Sequence, residues 1–282
     1  MAAGGAVSGY TARDVARLLH LSPGQVRAYA RSGLVEADRG SRGEYRFSFR
    51  HLVLLRAAKD LVAARVPRRR IRSALQELRR RLPRGRSLSG LQIAAEGERV
   101  VVHDGTKRWN PESGQLHFRF GVDDLARRAA PLARRQAREV RDAPGARTAD
   151  DWYEVACDLE APSPEDSRRA YGRALELDPD HVPAHVNLGR LLHEGGDPRA
   201  AEAHYRAALR RWPGDATAAF NLGVALEDQR RDADALAAYE QAIRADPGHA
   251  DAHYNAAGLC RRLGRHPDAL GHLKRCRELT GR

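Results

Sequence analysis

The second half of the sequence repeats itself every 34 residues. Three sets of residues recur with this step: Tyr171, Tyr205 and Tyr239; Ala174, Ala208 and Ala242; and Pro179, Pro213 and Pro247. A repeat of this length is one supersecondary unit, which buries its apolar face only by stacking on its neighbours. The period therefore predicts an α-solenoid of stacked helix pairs, with small residues at the helix crossings and proline at the end of each second helix.

The pair Leu188-Gly189 recurs as Leu222-Gly223, and with this pair the pattern resembles the tetratricopeptide repeat. On this basis the C-terminal part divides into four repeats, at 148–181, 182–215, 216–249 and 250–282. The first repeat is degenerate, and the last lacks the closing proline. The resemblance implies a superhelix whose concave groove is lined by the first helix of each repeat and binds a protein or peptide.

Polar and aromatic residues recur in the first helix of successive repeats. Asparagine occupies one register, at Asn187, Asn221 and Asn255, and the aromatic residues Phe220 and Tyr254 stand beside it. In the family, asparagine at this place often bonds the backbone of an extended peptide; the alternative is that it pairs with a neighbouring helix. The aromatic residues stand where a carboxylate clamp would need lysine, so they favour a partly apolar peptide or a partner helix. These five residues are the predicted peptide-binding set.

The net charge of +12 is unevenly distributed along the 282 residues. Residues 1–90 carry 20 Lys and Arg against 6 Asp and Glu, whereas residues 148–282 carry 18 against 23. A compositional bias of the genome would make both parts basic. The asymmetry therefore predicts that the N-terminal part alone binds a polyanion, and it favours nucleic acid over a membrane surface.

Two short helices are predicted in the basic part. Thr11 caps a helix over residues 12–19, and Ser22 begins a second helix that runs to about Ser32. Gly33 follows in the position where a left-handed conformation commonly ends a helix. Two helices joined by a tight turn predict a helix-turn-helix, whose second helix enters the major groove of DNA.

The order of helix, turn, helix and wing over residues 10 to about 82 resembles the MerR family of bacterial transcriptional regulators. The matching residues are Val26-Arg27, Tyr29, Gly33-Leu34 and Tyr45-Arg46-Phe47-Ser48. One departure is Ala28, where the family usually has an aromatic residue. The resemblance implies a winged helix-turn-helix that faces double-stranded DNA.

The predicted DNA-binding set combines the second helix with the wing. It comprises Gln25, Arg27, Tyr29, Arg31, Arg42, Tyr45 and Arg46. Arginine binds a phosphate or forks onto guanine, and tyrosine donates to a phosphate oxygen. The alternative for the wing is that Tyr45 is a core aromatic residue and Arg42 a solvated turn residue.

Residues 88–120 change in character and predict a small β-meander of three strands, over LQIAA, RVVVHD and QLHFRF. His103, Trp109 and His117 are candidates for the lining of a ligand pocket, although a sheet of this size needs Trp109 as core filler. A helix from Val122 to Arg141 follows and serves either to dimerise or to link. The oligomeric state is therefore left open between monomer and homodimer.

Together these features predict a mainly α protein in five parts. The parts are a flexible N-terminus at 1–9, a MerR-like winged helix-turn-helix at 10–84, a β-rich segment at 88–120, a helical linker at 121–147 and the repeats at 148–282. No apolar run has the length of a membrane helix, and the first residues lack the pattern of a signal peptide. We therefore expect a cytoplasmic, nucleoid-associated protein with no membrane contact.

Two functions compete. The first is a MerR-type transcriptional regulator that binds promoter DNA through the head and a protein or peptide partner, with the transcription machinery as one candidate, through the repeats. The alternative is a repeat scaffold, or co-chaperone-like protein, whose basic head binds nucleic acid non-specifically or an acidic protein. An enzyme is not expected, because the sequence has no phosphate-cradling loop, no metal-spaced His/Cys set and no nucleophile motif. No cofactor or metal is expected either.

Overall fold

The computed structural model describes residues 9–35, 37–40, 43–64, 66–81, 92–96, 99–103, 116–142 and 148–280. The chain divides into two compact units, Met1–Ala170 and Tyr171–Arg282, which we call the head unit and the repeat unit. Arg42, Trp109 and Leu82, three residues of the predicted head and middle segment, lie outside the described residues.

The head unit holds all six strands of the described residues and the first helices. Its elements are β1 (Tyr10–Thr11), α1 (Ala12–Leu19), α2 (Pro23–Arg31), β2 (Asp38–Arg39), β3 (Tyr45–Phe47), α3 (Phe49–Ala63), α4 (Arg68–Arg81), β4 (Gln92–Glu96), β5 (Arg99–His103), β6 (Leu116–Gly121), α5 (Val122–Asp142), α6 (Ala149–Leu159) and α7 (Pro164–Leu177), of which the last extends into the repeat unit. The repeat unit continues with α8 (Val182–Glu194), α9 (Pro198–Arg211), α10 (Ala216–Asp228), α11 (Asp232–Ala245), α12 (Ala250–Arg262) and α13 (His266–Thr280).

The two predicted helices of the helix-turn-helix are α1 and α2, and each starts with a capping box. The hydroxyl of Thr11 accepts the N–H of Asp14, whose carboxylate accepts the N–H of Thr11 in return. Ser22 and Gln25 repeat this arrangement at the start of α2. Because each box satisfies two backbone donors that have no partner within the helix, both helix starts are fixed as the sequence predicts.

The end of α2 is a Schellman motif. Gly33 has a φ of +69°, its N–H donates to the carbonyl of Ala30, and the N–H of Leu34 donates to the carbonyl of Tyr29. A residue with a Cβ is strained in this conformation. The structure thus confirms the role predicted for Gly33, and the turn directs the chain towards the wing.

The wing is a three-stranded antiparallel sheet in the order β1-β3-β2. Tyr10 lies opposite Phe47, and Arg39 lies opposite Tyr45. Phe47 is fully buried, as are Leu52 and Leu55 of α3 behind the sheet. The wing therefore packs on α1 and α3 through buried apolar residues, and this packing fixes its position in the head.

The middle sheet corrects the predicted meander. Its three strands occur as predicted, but their order is β5-β4-β6, with β4 in the centre and both neighbours antiparallel to it. A meander needs each strand to pair with the next one in sequence. The segment between β5 and β6 is long enough to return to the free edge of β4, whereas a meander needs only a short turn there.

The predicted helix after the sheet is α5, and it packs within the head unit. It contacts α1, α3, β6 and α6. Its buried face consists of small or aliphatic residues, namely Val122, Leu125, Ala126, Ala129 and Ala133. Its exposed positions include Arg127, Arg134 and Arg138, so the outward side is polar.

The repeat unit follows the 34-residue step. Its helix pairs α8–α9, α10–α11 and α12–α13 begin at 182, 216 and 250, and each pair packs together along its length. Glycine lets the two helices approach closely, because a Cβ on Gly189 would lie 2.7 Å from the Tyr205 ring and one on Gly223 would lie 2.5 Å from the Tyr239 ring. The buried tyrosines and the facing glycines explain why these two residue types recur together.

Candidate DNA interface and repeat groove

The outward face of α2 carries the first part of the predicted DNA-binding set. Val26 is fully buried and orients the helix, and Arg27 and Arg31, one and five residues after it, lie on the exposed side. Tyr29 is half-buried, and burial raises the pKa of its hydroxyl. The hydroxyl therefore remains a proton donor at neutral pH, which is the form that bonds a phosphate oxygen.

Gln25 is exposed on the same helix, but its side chain is already engaged. Its Oε1 accepts the N–H of Ser22 at 2.8 Å, as the second half of the capping box. The amide Nε2 is left to face outwards. Gln25 thus fixes the start of α2, and any contribution to DNA recognition comes from Nε2 alone.

In the wing, Arg46 is held by an ion pair. Its Nη2 lies 2.7 Å from Oε1 of Glu44, and its Nε donates to the same oxygen at 3.1 Å. Asp38 stands opposite Arg46 on the neighbouring strand. The charge of Arg46 is therefore partly compensated inside the protein, and this predicted contact residue is less available to a phosphate than an unpaired arginine.

The sequence leaves open whether Tyr45 faces DNA or is a core aromatic residue, and the structure gives it features of both. It is half-buried, with its ring centroid 6.2 Å from that of Phe47, and the guanidinium of Arg39 lies 3.8 Å over its ring. Arg39 is exposed and also donates to the carbonyl of Gly43 at 2.8 Å. Arg39 is not in the predicted DNA-binding set; the structure places it directly opposite Tyr45, in a two-residue strand next to Gly40.

Three basic residues of the head unit bind the C-terminal ends of α1 and α2. Lys59 donates to the carbonyl of Leu19 at 2.8 Å, and Arg128 donates to the carbonyl of Leu18, so cations from α3 and α5 close the end of α1. Arg72 of α4 donates to the carbonyl of Ser32 at 3.3 Å, at the end of α2. Cations are stabilising at helix C-termini. Part of the positive charge of the head therefore supports the fold.

A carboxyl group lies buried between α6 and the start of α3. Asp158 accepts the backbone N–H of Phe49, while burial, and then the charges of Asp38 and Glu154, raise the pKa of Asp158 to about 7. Next to it, a small cavity is lined by Tyr10, Val155 and neighbours. The hydroxyl of Tyr10 is buried there without a hydrogen-bond partner among the described residues, and burial raises its pKa. Tyr10 lies in β1 and Val155 in α6, so the edge of the wing sheet meets α6 at this cavity.

In the repeat unit, two of the three predicted groove asparagines bond a neighbouring helix. The amide of Asn187 donates to the Tyr171 hydroxyl at 3.0 Å, and that of Asn255 donates to the Tyr239 hydroxyl at 3.2 Å. Asn187 is buried. Asn221 is half-buried and makes no such bond within the described residues. Of the three, Asn221 has the amide that is open to a peptide.

The predicted aromatic residues differ in exposure. Tyr254 is 64% exposed, whereas Phe220 is half-buried and stacks on His249, with ring centroids 4.7 Å apart. Successive first helices are joined by polar contacts: Nε2 of His193 lies 2.7 Å from a carboxylate oxygen of Asp228, and Arg262 forms an ion pair with Glu227 at 2.7 Å. Tyr254 is therefore open to a partner, whereas the ring of Phe220 is held by its neighbours within the repeats.

The described residues contain no cluster of three or more side chains of the kind that hold a metal ion. All three cysteines are free thiols. Cys260 is buried, and burial raises the pKa of its thiol, so it packs as a small apolar residue. None of the described helices combines the length and the hydropathy needed to cross a membrane.

A winged helix-turn-helix followed by stacked helix pairs defines a two-part chain, with one part of a DNA-binding class and one of a protein-interaction class. Residues 10–78 match the family model described as MerR HTH family regulatory protein. Residues 194–247 and 229–279 match a tetratricopeptide repeat model, and residues 170–203 match a second one. The chain therefore joins a MerR-type helix-turn-helix domain to tetratricopeptide repeats, which confirms the resemblance found in the sequence.

Solved structures with related helical repeats include a MamA fragment, "MamA 41-end from Desulfovibrio magneticus RS-1". It is 20% identical with a TM-score of 0.47, over 55% of this chain and 86% of that chain. Another is YrrB, titled "a TPR protein with an unusual peptide-binding site", which is 20% identical with a TM-score of 0.44, over 55% of this chain and 83% of that chain. No curated protein matches the sequence.

Proposed function

We propose that this protein is a MerR-type transcriptional regulator that binds promoter DNA through α2 and the wing, and a protein or peptide through the repeats. The observation that carries the proposal is the outward face of α2. Arg27 and Arg31 are exposed there, one turn apart, on a helix whose two ends are fixed by the capping box at Ser22 and the turn at Gly33. A rigid helix that presents two open arginines suits the reading of guanine edges in the major groove.

The proposal assigns the parts of the head separate roles. Arg27 reads bases, while Arg31 and Arg39 bind backbone phosphates and set the register of the protein on the duplex. Arg46, which is paired with Glu44, supports the wing. No catalytic step belongs to this function, and the protein acts in the cytoplasm at the nucleoid.

Selection of duplexes from a random pool by the intact chain, followed by titrations over a range of salt concentrations, tests the DNA half of the proposal. We expect a preferred sequence, and we expect Arg27→Ala to reduce the preference by about 1–3 kcal/mol at one position. Arg31→Ala should weaken all duplexes alike and lower the salt slope by about 0.9.

Arg210→Ala is the matched control, because Arg210 is an exposed arginine near the end of α9 in the repeat unit. It removes the same charge and should leave both the preference and the slope unchanged. If every duplex binds equally and Arg27→Ala changes only the salt slope, the regulator proposal is wrong and the non-specific scaffold is the better description.

The protein-binding half rests on Tyr254, Phe220 and Asn221. An exposed tyrosine, a stacked phenylalanine and an open amide form a surface that suits a partly apolar segment with free backbone groups. Selection of peptides from a display library by the intact chain tests this assignment. Binding should fall with Tyr254→Ala and Asn221→Ala, and it should survive Trp212→Ala, which removes an exposed aromatic residue at the end of α9.

A further inference from the structure

Two repeats contain a pair of histidines that face each other across the two helices of the repeat. Nδ1 of His185 in α8 lies 2.9 Å from Nδ1 of His204 in α9. Nδ1 of His253 in α12 lies 3.1 Å from Nδ1 of His272 in α13. The members of the second pair follow those of the first by 68 residues, which is two repeats. We call them the histidine pairs.

The repeat between them lacks this feature. Its equivalent positions, 34 residues from each pair, are Ala219 and Ala238, and both are buried. The helices α10 and α11 therefore close on two methyl groups at the place where the other repeats use a hydrogen bond between imidazoles. The alanine version of the contact is compatible with the repeat fold, because this chain already contains it.

The protons of each pair are fixed by a third group. Nε2 of His185 lies 2.9 Å from the carbonyl oxygen of Pro179, and a carbonyl only accepts, so Nε2 carries the proton. Neutral His185 then has a bare Nδ1, which accepts from Nδ1–H of His204. His253 repeats the arrangement with the carbonyl of Pro247 at 3.4 Å. Each neutral pair thus forms one N–H···N hydrogen bond between the helices.

The orientation of the rings separates this bond from a metal site. The ring centroids of His185 and His204 are 5.2 Å apart, which is close to the largest value that an N···N distance of 2.9 Å permits. The two nitrogens therefore point at each other. Two ligands of one metal ion would instead point together at a third position, which brings the rings closer at the same N···N distance.

We propose that the histidine pairs are proton-sensitive latches that hold α8 to α9 and α12 to α13 above the ordinary titration range of histidine and release them on acidification. The first proton enters His204 at Nε2 and leaves the hydrogen bond in place. The second has to enter His185 at Nδ1, where it meets the Nδ1–H of His204. The doubly protonated pair has lost its bond and holds two like charges in contact, so the helices separate.

The groups around the histidine pairs lower the pKa of one histidine in each pair, as a latch that opens in acid requires. Burial, and then the charge of His185, lower the pKa of His204. Burial, and then the charge of His253, lower the pKa of His272, against the opposite effect of Glu240 on α11 and Asp268 on α13 and with a further lowering by Arg265. A lowered pKa means that the folded state favours the neutral imidazole. The stability that each histidine pair contributes is complete above about pH 6.5, the ordinary pKa of histidine, and is lost as the pH falls through the lower pKa of the folded state.

His181 and His249 stand directly before α8 and α12, the two first helices that carry a histidine pair. Nδ1 of His181 accepts the N–H of Ala184 at 3.1 Å, and Nδ1 of His249 accepts the N–H of Ala252 at 3.2 Å, so both cap the start of a first helix. The middle repeat uses Asp215 for this purpose. These caps lie at the first turns of α8 and α12, whereas α9 and α13 report on the histidine pairs.

Hydrogen exchange of the intact chain, read by mass spectrometry at about pH 7.5 and about pH 5.5 and corrected for the intrinsic pH dependence of exchange, tests the latches. We expect protection in α9 and α13 to fall by about tenfold on acidification relative to α11, which has no histidine pair. The double substitution His185→Ala with His204→Ala copies the middle repeat. It should remove the pH response of α9 and leave that of α13 in place.

A second variant covers the case in which the alanine pair fails to fold. His204→Gln keeps a donor towards Nδ1 of His185 and does not titrate between these pH values, so it should stabilise α9 at low pH. The latch is wrong if α9, α11 and α13 respond equally to pH, or if α9 responds equally with and without its histidines. It is also wrong if Zn²⁺ alone at neutral pH protects α9 and a chelator reverses the effect, because the pair would then be a metal site.

The consequence for binding rests on the proposed function. Release of the latches loosens α8 and α12, and Tyr254 lies on α12, so the affinity for a selected peptide should fall at the lower pH. If exchange in α9 and α13 depends on pH as expected but the peptide affinity does not fall, the proposed groove is contradicted. If exchange responds to pH equally in α9, α11 and α13, the latch is contradicted.

Discussion

In the head unit, the end of α1 is closed by two cations that come from far along the chain, Lys59 and Arg128. In the repeat unit, the helix pairs α8–α9 and α10–α11 each close on a glycine and a tyrosine, Gly189 with Tyr205 and Gly223 with Tyr239. The end of α1 is thus held by polar contacts between distant elements, whereas these two helix pairs close on the local shape of the chain. The difference shows which changes should disturb each contact. Polar contacts are weakened by changes of charge or pH, and close packing is weakened by changes of side-chain volume.

The largest expected effect comes from filling the space that a repeat glycine leaves. A Cβ on residue 223 would lie 2.5 Å from the ring of Tyr239, which is fully buried. Gly223→Ala should therefore destabilise the repeat unit by about 1–3 kcal/mol, measured by hydrogen exchange of α10 and α11 in the intact chain.

Gly258→Ala is the control for this prediction. Gly258 lies in α12, and a Cβ there meets no atom within 4 Å among the described residues. The same substitution should stabilise its helix by up to about 1 kcal/mol, because alanine is the better helix former. Equal effects of the two substitutions would show that local shape does not hold the repeats.

The next effect concerns the cation at the end of α1. Lys59→Met keeps the apolar stem and removes the donor to the carbonyl of Leu19, so exchange in α1 and α2 should show a loss of about 1–2 kcal/mol. The salt slope of DNA binding should stay unchanged, because this ammonium faces a carbonyl of the protein. A fall in the slope equal to that of Arg31→Ala would place Lys59 on the DNA and weaken the contrast between the two units.

A third prediction uses the buried carboxyl of the head. Between its ordinary value and about 7, the pKa given above for Asp158, the folded carboxyl keeps a proton that the unfolded chain releases. The head should therefore lose stability as the pH rises through this window, and lose no more above it. Asp158→Asn keeps an acceptor for the N–H of Phe49 and should flatten the dependence, measured by exchange in α3.

The two units should then respond to acid in opposite directions. Lowering the pH from neutral strengthens the head through Asp158 and weakens the repeats through His204 and His272. If exchange in both units changed in the same direction with pH, one of the two assignments would be wrong.

Much of this fold could be predicted because its signals are local or periodic. Thr11, Ser22 and Gly33 mark helix ends by their own hydrogen bonds and backbone angles, and the 34-residue step places six helices at once. The strand order of the middle sheet could not be predicted, because a long connection between β5 and β6 permits β6 to pair either with β5 or with the free edge of β4.

The sites were harder to predict because side chains that suit a ligand also suit the protein itself. Arg46 pairs with Glu44, Gln25 completes a capping box, and Asn187 bonds Tyr171. Residue type and spacing predict that such groups form hydrogen bonds, but the partner depends on which elements meet. Arg39 was missed for the same reason, since its contact with Tyr45 exists only once β2 and β3 pair.

The smallest expected change in stability comes from Gln25, where the two roles can be separated. Glutamate has the same reach and keeps an oxygen for the N–H of Ser22, so Gln25→Glu should preserve the capping box and change the stability of α2 by less than about 0.5 kcal/mol. The substitution replaces the outward Nε2 donor with a negative charge. Affinity for every duplex should therefore fall, and more so at low salt, because the added charge faces the phosphates. Unchanged DNA affinity with an intact helix would show that Gln25 serves the fold alone and that the DNA face of α2 begins at Arg27.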